Sequence, residues 1–400
     1  MLNRLSGFRS DENGVAAMLF AIMAVVVLVI VGVAIDLERG VTADTRLQAS
    51  LDAAALAGAK ALENSATTDD EVATIARAAF AANLATGHSD VTCSQADVTI
   101  DRETGRVSVD SDCQVPTTMA NLVKVNQMSL VETATARASI TKLDVAFMLD
   151  VSGSMKGSKL ADLKTATSNA IDTLITPSSG DRVRVAFNSY STSVNAGIYA
   201  DKVLDLSLLG GKKQTCVSER PGAWAWKDDA PGLKKWLGLG ATSCPKSSVE
   251  PLSSDAKKLK SEIGKLTANG YTAGHLGVAW AWYLISPEWK DVWPAKSEPH
   301  AYDAPNTKKA VILMTDGEFN TEYEKSLGNS AQQARKLCKR MREEGILVYA
   351  VAFEAPFSAK KTLEDCAGDA TRFFDAGDGE ELKAAYAAIA SQLSNLALVD

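Results

Sequence analysis

Two aspartates and two serines carry the chemistry this sequence offers. Asp150, Ser152 and Ser154 alternate, so an extended backbone points three oxygens the same way, and Gly153 permits a tight loop. Asp316, in Thr315-Asp316-Gly317, supplies a second carboxylate far along the chain. Carboxylates and hydroxyls are hard oxygen ligands. They suit a divalent cation, Mg²⁺ first with Mn²⁺ or Ca²⁺ as alternatives, rather than zinc. Alone, each piece is ordinary: Asp-x-Ser-x-Ser is commonly an Asx turn or a helix cap, and Thr-Asp-Gly a turn.

The elements around these residues make the stronger case. Residues 143–150 (LDVAFMLD) read as a buried strand ending at Asp150, and a helical pattern follows over about 159–175. Residues 311–314 repeat the logic before Asp316, and residues 346–353 form a third such run. Strands alternating with helices predict an α/β fold, a doubly wound, mostly parallel, Rossmann-like sheet. Such sheets hold ligands at the C-terminal ends of their strands, where both aspartates fall.

Asp150-Val151-Ser152-Gly153-Ser154-Met155 resembles the signature of von Willebrand factor type A (vWA) domains with a metal-ion-dependent adhesion site (MIDAS), and Thr315-Asp316-Gly317 resembles that family's second aspartate. Asn269-Gly270-Tyr271-Thr272-Ala273-Gly274 resembles its threonine loop, with Thr267 and Thr242 as competitors for the threonine's role. The resemblance covers about residues 142–395. It implies a metal site of Asp150, Ser152, Ser154, Thr272 and Asp316: the serines and threonine bind directly or through water, the aspartates largely through water. A protein partner offering an acidic residue completes the shell.

Residues 15–35 carry no charge and are closed by Glu12 and Asp36. About 20 apolar residues cross a hydrocarbon core. The run is too long for a signal peptide and Asp36-Leu37-Glu38-Arg39 follows it, so an uncleaved transmembrane helix is expected; a buried soluble helix is the competing reading. Leu47, Leu51, Ala54, Gly58 and Leu62 continue a helical stripe, which either admits another helix or packs on its own domain. A second helix is expected over residues 69–84. Residues 96–100 and 106–110 read as a hairpin with Ile100 opposite Arg106, the register that sets Cys93 opposite Cys113; a bulge would shift it by one. Residues 128–138 alternate as a further strand.

The short leader, the apolar span and Arg46-Leu47-Gln48-Ala49-Ser50-Leu51-Asp52 resemble the N-terminal segment of TadG-like proteins of the tight-adherence (Flp) pilus machinery, and the vWA pattern fits the same group. Pseudopilins carry Glu at the fifth position after a processing Gly. Here the fifth residue after Gly14 is Leu19, so cleavage and polymerisation are not expected.

None of the six cysteines lies in a CxxC pair. Either all are buried thiols in the cytosol, or their grouping two by two reflects an oxidising compartment, with Cys93–Cys113, Cys216–Cys244 and Cys338–Cys366 as disulfides. Arg4 and Arg9 precede the span and Arg39 and Arg46 follow, so charge bias orients it only slightly. The cysteines therefore set the orientation: bacterial inner membrane, single pass, body in the periplasm. The expected layout is 1–14 cytoplasmic, 15–35 transmembrane, 36–141 an Ala-rich helix with a small α+β pilin-like region, and 142–397 the vWA domain.

That domain carries insertions at about 208–253 and 287–307, and all seven tryptophans lie between Trp224 and Trp293. With residues 200–206 as an antiparallel return strand, the insertions should meet at the edge opposite the metal, sharing a Trp cluster. The net charge of −7 without a Lys/Arg run excludes nucleic acid as a natural partner. His88, His275 and His300 complete neither an HExxH nor a GxSxG pattern, so no enzyme is expected. The expected function is a membrane-anchored, metal-dependent interaction component of a tight-adherence pilus assembly or secretion system. The alternative is a surface adhesin or receptor that binds an acidic ligand through the metal.

Overall fold

A single helix, α1 (Glu12–Leu62), carries the apolar run of residues 15–35 into a folded body without interruption. The computed structural model describes residues 12–85, 91–138, 140–209, 213–233 and 235–396. The first eleven residues and His88 lie outside these. The chain divides into two compact units, Met1–Ala138 and Ser139–Asp400.

In the first unit, burial on α1 begins at Gly32, Asp36 and Gly40 and continues through Leu47, Leu51, Ala54 and Leu62. The small-residue stripe packs on its own unit: a Cβ on Gly58 would stand 2.9 Å from Val107 and 3.3 Å from Ala76. Helix α2 (Asp69–Leu84) starts at a reciprocal Thr68–Glu71 capping box. An antiparallel sheet follows, built of β1 (Thr92–Cys93), β2 (Asp97–Asp101), β3 (Arg106–Pro116) and β4 (Gln127–Arg137), with β3 in its centre.

The hairpin register is one residue away from that expected. Ile100 faces Val107, not Arg106, because Asp101 pairs with Arg106 and closes a four-residue loop. The Asp101 carboxylate caps that loop by accepting from the Glu103 and Thr104 amides. Cys93 nevertheless faces Cys113, since β1 is a separate strand and the irregular stretch before β2 absorbs the extra residue.

The second unit runs β5 (Lys142–Asp150), α3 (Ser158–Leu174), β6 (Val183–Tyr190), β7 (Val194–Asn195), α4 (Ala200–Val203), β8 (Cys216–Val217), β9 (Glu250–Ser253), α5 (Ala256–Gly264), α6 (Gly274–Ile285), β10 (Thr307–Thr315), α7 (Ser330–Glu343), β11 (Leu347–Phe353), α8 (Phe357–Ala367), β12 (Phe373–Ala376) and α9 (Gly379–Leu396). Strands β12, β11, β10, β5 and β6 are adjacent in that order and parallel. Both β9 and β7 join β6 antiparallel, and β8 extends β7. Alternation along β5 feeds two cores. Val145, Phe147 and Leu149 meet residues of α3, α5 and α9, while Ala146 and Met148 meet those of α6, α7 and α8. This is the doubly wound, mostly parallel α/β fold.

Residues 200–206 are not the return strand. Ala200, Val203 and Leu204 are buried while Asp201 and Lys202 are exposed, a helical rather than an alternating pattern, and the segment forms α4. Strand β9 makes the antiparallel return instead. The two insertions meet beside the end of α6 and the start of β10, at the N-terminal edge of the strands. There Trp289 donates to the Asp228 carbonyl at 2.8 Å, and Tyr302 donates to the Asp228 carboxylate at 2.6 Å. Trp289 stacks with Tyr283 on one side and with Trp293 on the other, Trp280 meets Tyr283 and Trp289 edge-on, and Arg220 lies 5.5 Å over the Trp289 ring. The first insertion is not confined to that edge, because Ser193 bonds the Ser243 carbonyl and Glu219 bonds His275 near the opposite one.

Candidate metal centre

Strand β5 ends in Asp150 and β10 in Thr315, and these two neighbours cross over to opposite faces, which leaves a crevice between their C-terminal ends. Asp150 is fully buried. Its Oδ1 accepts from the Ser152 amide at 2.8 Å. Its Oδ2 accepts from the Thr315 hydroxyl at 2.6 Å and the Tyr190 hydroxyl at 2.9 Å. The loop then turns into a short 3-10 helix, Gly153–Met155, which brings the two serine hydroxyls within 3.0 Å of each other. Ser154 Oγ donates to Asp316 Oδ1 at 2.7 Å, closing a chain of oxygens from the end of β5 to the end of β10.

The threonine loop is stitched beside this chain through its backbone. The Gly153 amide donates to Gly270 O and the Asn269 amide to Val151 O, at 2.9 and 2.8 Å. Gly270 has φ +93, and a Cβ there would stand 2.5 Å from Thr192 Oγ1, so this turn needs glycine. Thr272 itself is held by Asn320: its amide donates to Asn320 Oδ1 at 3.0 Å and its carbonyl accepts the Asn320 amide at 2.9 Å. Hydrogen bonds thus link Asp150, Ser152, Ser154 and Asp316 directly, while Thr272 joins through the loop four residues beyond Asp316.

Burial, together with the nearby Asp316, pushes the Asp150 carboxyl above its ordinary value. Two carboxylates drawn together out of water, with hydroxyls between them, form a donor set that a hard divalent cation would relieve, so these residues fit such an ion. Among the described residues no group of three or more His, Cys, Asp or Glu forms an alternative metal site.

Sequence reasoning did not find the groups that hold this set. Tyr190 ends β6, and Thr315 precedes Asp316 inside the recognised motif. Lys159, on the first turn of α3, reaches Asp316 Oδ2 at 3.1 Å and Glu354 at 3.3 Å. Burial opposes the ammonium charge, but Asp316 and Glu354 outweigh it and raise the Lys159 pKa. Its place five residues after Ser154, at the start of the helical pattern, is the available signal.

The two described histidines join elements away from these oxygens. His275 bonds Glu219 and Ser330, each at 2.8 Å, tying α6 to the first insertion and to the start of α7. Ser330 is fully buried, so this Ser-His-Glu chain offers no nucleophile to solvent. His300 lies at the opposite edge against Asp144, which also takes Arg184 at 2.8 Å and Lys309 at 3.2 Å.

The six cysteines form three disulfides, Cys93–Cys113, Cys216–Cys244 and Cys338–Cys366. The second closes the first insertion, and the third joins α7 to α8 inside the core.

Residues 14–61 match the family model of Tad, the Flp pilus-assembly TadE/G-like proteins. No curated protein sequence matches the chain. Among solved structures, the chain is similar to the pilus adhesin SpaC of Lactobacillus rhamnosus GG, at TM-score 0.41 and 10% identity over 76% of this chain and 34% of that one. It is similar to the vWF domain of the type V pili tip protein Mfa5 of Porphyromonas gingivalis, at 0.40 and 13% over 64% and 96%. It is also similar to proximal thread matrix protein 1 of the mussel byssus with a zinc-occupied MIDAS motif, at 0.34 and 14% over 64% and 46%. The chain thus spans about a third of the length of SpaC.

Proposed function

We propose that this chain is a membrane-anchored, metal-dependent protein-interaction component of a tight-adherence pilus assembly or secretion system. One conjunction carries the reading: residues 14–61 match the Tad family, and the same chain draws Asp150, Ser152, Ser154 and Asp316 into one hydrogen-bonded set. Asp150, Ser152, Ser154, Thr272 and Asp316 would hold a divalent cation, Mg²⁺ first with Mn²⁺ or Ca²⁺ as alternatives. Such an ion supplies a Lewis-acidic anchor for the carboxylate of a protein partner. Tyr190 and Thr315 fix the Asp150 carboxylate, and Lys159 fixes that of Asp316. The function is binding, not catalysis.

Residues 15–35 would anchor the chain in the bacterial inner membrane, with residues 1–14 in the cytoplasm. The pilin-like region 36–141 and the vWA domain 142–397 would lie in the periplasm, where the three disulfides are stable. Other pilus or secretion components are the natural partners.

Thermal unfolding of the wild type and Asp150→Ala with and without Mg²⁺ or Mn²⁺ tests the metal. The wild type should gain stability and the variant should not; equal responses would move the site elsewhere. Membrane fractionation with protease shaving tests the location. Recovery on the outer cell surface would favour the adhesin reading over assembly.

A further inference from the structure

The free part of α1 is short. From residue 16 to 31 its side chains are mostly exposed, and from Gly32 onward one face is covered. At about 1.5 Å per residue, residues 16–31 rise only about 24 Å, against a hydrocarbon core of roughly 30 Å.

Met119 covers Gly32: a Cβ on that glycine would stand 2.1 Å from Met119 Cγ. One turn on, Asp36 accepts the amides of Thr118, Met119 and Ala120 at 2.9, 2.7 and 2.9 Å. Arg39 donates to the Thr118 hydroxyl at 3.1 Å. Residues 117–126, the connection between β3 and β4, are therefore pinned to the last turn of the apolar run rather than above it.

The connection suits that depth. Met119 and Val125 remain 39% and 47% exposed, and Lys124 is exposed beside them. Six of its backbone donors are satisfied within the protein: besides the three that Asp36 accepts, the Thr117 amide bonds Asn126 O, Lys124 bonds Asn121 O, and Val125 bonds Ala120 O. Non-helical backbone enters a bilayer only when its polar groups are satisfied within the protein, and a carboxylate at that level needs donors of its own.

We propose that residues 118–125 are immersed in the leaflet on the body side, as a second, non-spanning membrane contact with Lys124 and Arg39 at phosphate level. The occupant is lipid, because the exposed apolar face of this loop continues the exposed ring of α1 that the bilayer covers. The proposal rests on reading residues 15–35 as a span.

The test places single cysteines at Val125, Leu28 and Glu103 in the full chain, with the native disulfides intact. Each is labelled with a fluorophore in vesicles of phosphatidylethanolamine and phosphatidylglycerol, then quenched by nitroxide lipids of two depths or by aqueous iodide. The Val125→Cys label should be quenched several times more strongly by the shallow nitroxide than by iodide. Leu28→Cys should respond to the deep nitroxide and Glu103→Cys to iodide alone. Iodide quenching at Leu28 would end the spanning reading itself. Lipid quenching at Leu28 with iodide quenching at Val125 would overturn immersion and leave the span standing. A Val125 label shielded from both quenchers would mean that a second copy covers the loop, which also overturns the proposal.

Discussion

Tyr190 stands directly opposite Asp150 in the parallel β5–β6 pair and donates its hydroxyl to the Asp150 carboxylate at 2.9 Å. The ring that delivers this hydroxyl is wedged against Gly277 of α6, where a Cβ would stand 2.7 Å from Tyr190 Cδ1, and meets Phe319 edge-on at 6.4 Å. With Thr315 donating from β10, the buried carboxylate is held from both neighbouring strands.

Removing that hydroxyl should loosen the proposed metal without moving the fold. Tyr190→Phe keeps the ring and its packing but deletes one donor. Groups that orient a ligand from behind are worth about 10–100-fold in metal affinity. Calorimetric titration with Mg²⁺ or Mn²⁺ should show a loss in that range, with the circular dichroism spectrum unchanged. An unchanged Kd would detach Tyr190 from the site.

Lys159→Met should act in the opposite direction. The Lys159 ammonium is a counter-charge 3.1 Å from Asp316, shared with Glu354. Without it, a bound cation no longer shares Asp316 with a second positive charge, so affinity should rise. Metal-free stability should fall by up to about 1 kcal/mol, the scale of a partly exposed ion pair. Parallel titration and thermal unfolding separate the two effects; weaker metal binding would show that Lys159 orients Asp316 more than it competes.

Asp144 sets an acid limit to stability at the other edge of the sheet. Burial works against its charge, but the His300 hydrogen bond, Lys309 and Arg184 outweigh burial and hold the carboxyl well below its ordinary value of 3.8. A carboxyl depressed in the folded state adds stability that is fully present above its unfolded pKa and is lost as pH falls through the folded one. Unfolding free energy should therefore decline below about pH 4. Asp144→Asn should flatten that limb. At neutral pH it should cost roughly 3–5 kcal/mol, because Arg184 and Lys309 are left buried without their partner. Denaturant melts of both proteins across pH would check both statements.

What the sequence disclosed and withheld follows from the range of the interactions. Buried strand runs leading to Asp150 and Asp316 are local patterns, and so are the ends of α2 and the glycine turn before Thr272. The groups behind the oxygens are not local. Tyr190 is 40 residues from Asp150, and its hydroxyl matters only because β6 packs beside β5. The apolar residues of segment 200–206 suit a strand as well as a helix, and only their burial reveals a period of 3.6. The hairpin register slipped because a four-residue loop capped by Asp101 and a five-residue one differ by a single residue.

The disulfides allow a matched comparison. Cys216–Cys244 and Cys338–Cys366 both span 28 residues, so chain entropy assigns each the same contribution, about 3–4 kcal/mol. Cys338 and Cys366 are fully buried, whereas Cys216 closes a half-buried insertion. The Cys338→Ala/Cys366→Ala pair should therefore lower Tm more than Cys216→Ala/Cys244→Ala. Equal losses would mean that the core around α7 and α8 repacks at no cost.

The uninterrupted course of α1 has a mechanical consequence. Its 51 residues form a rod about 76 Å long. No proline breaks it, and Gly32, Gly40 and Gly58 are each covered by a neighbouring side chain that fills the notch. If residues 15–35 span the bilayer as proposed, a rod of this kind has no slack joint at its surface, and tension or torque applied to the first unit would pass straight down its axis, tilting the anchor instead of unwinding a tether.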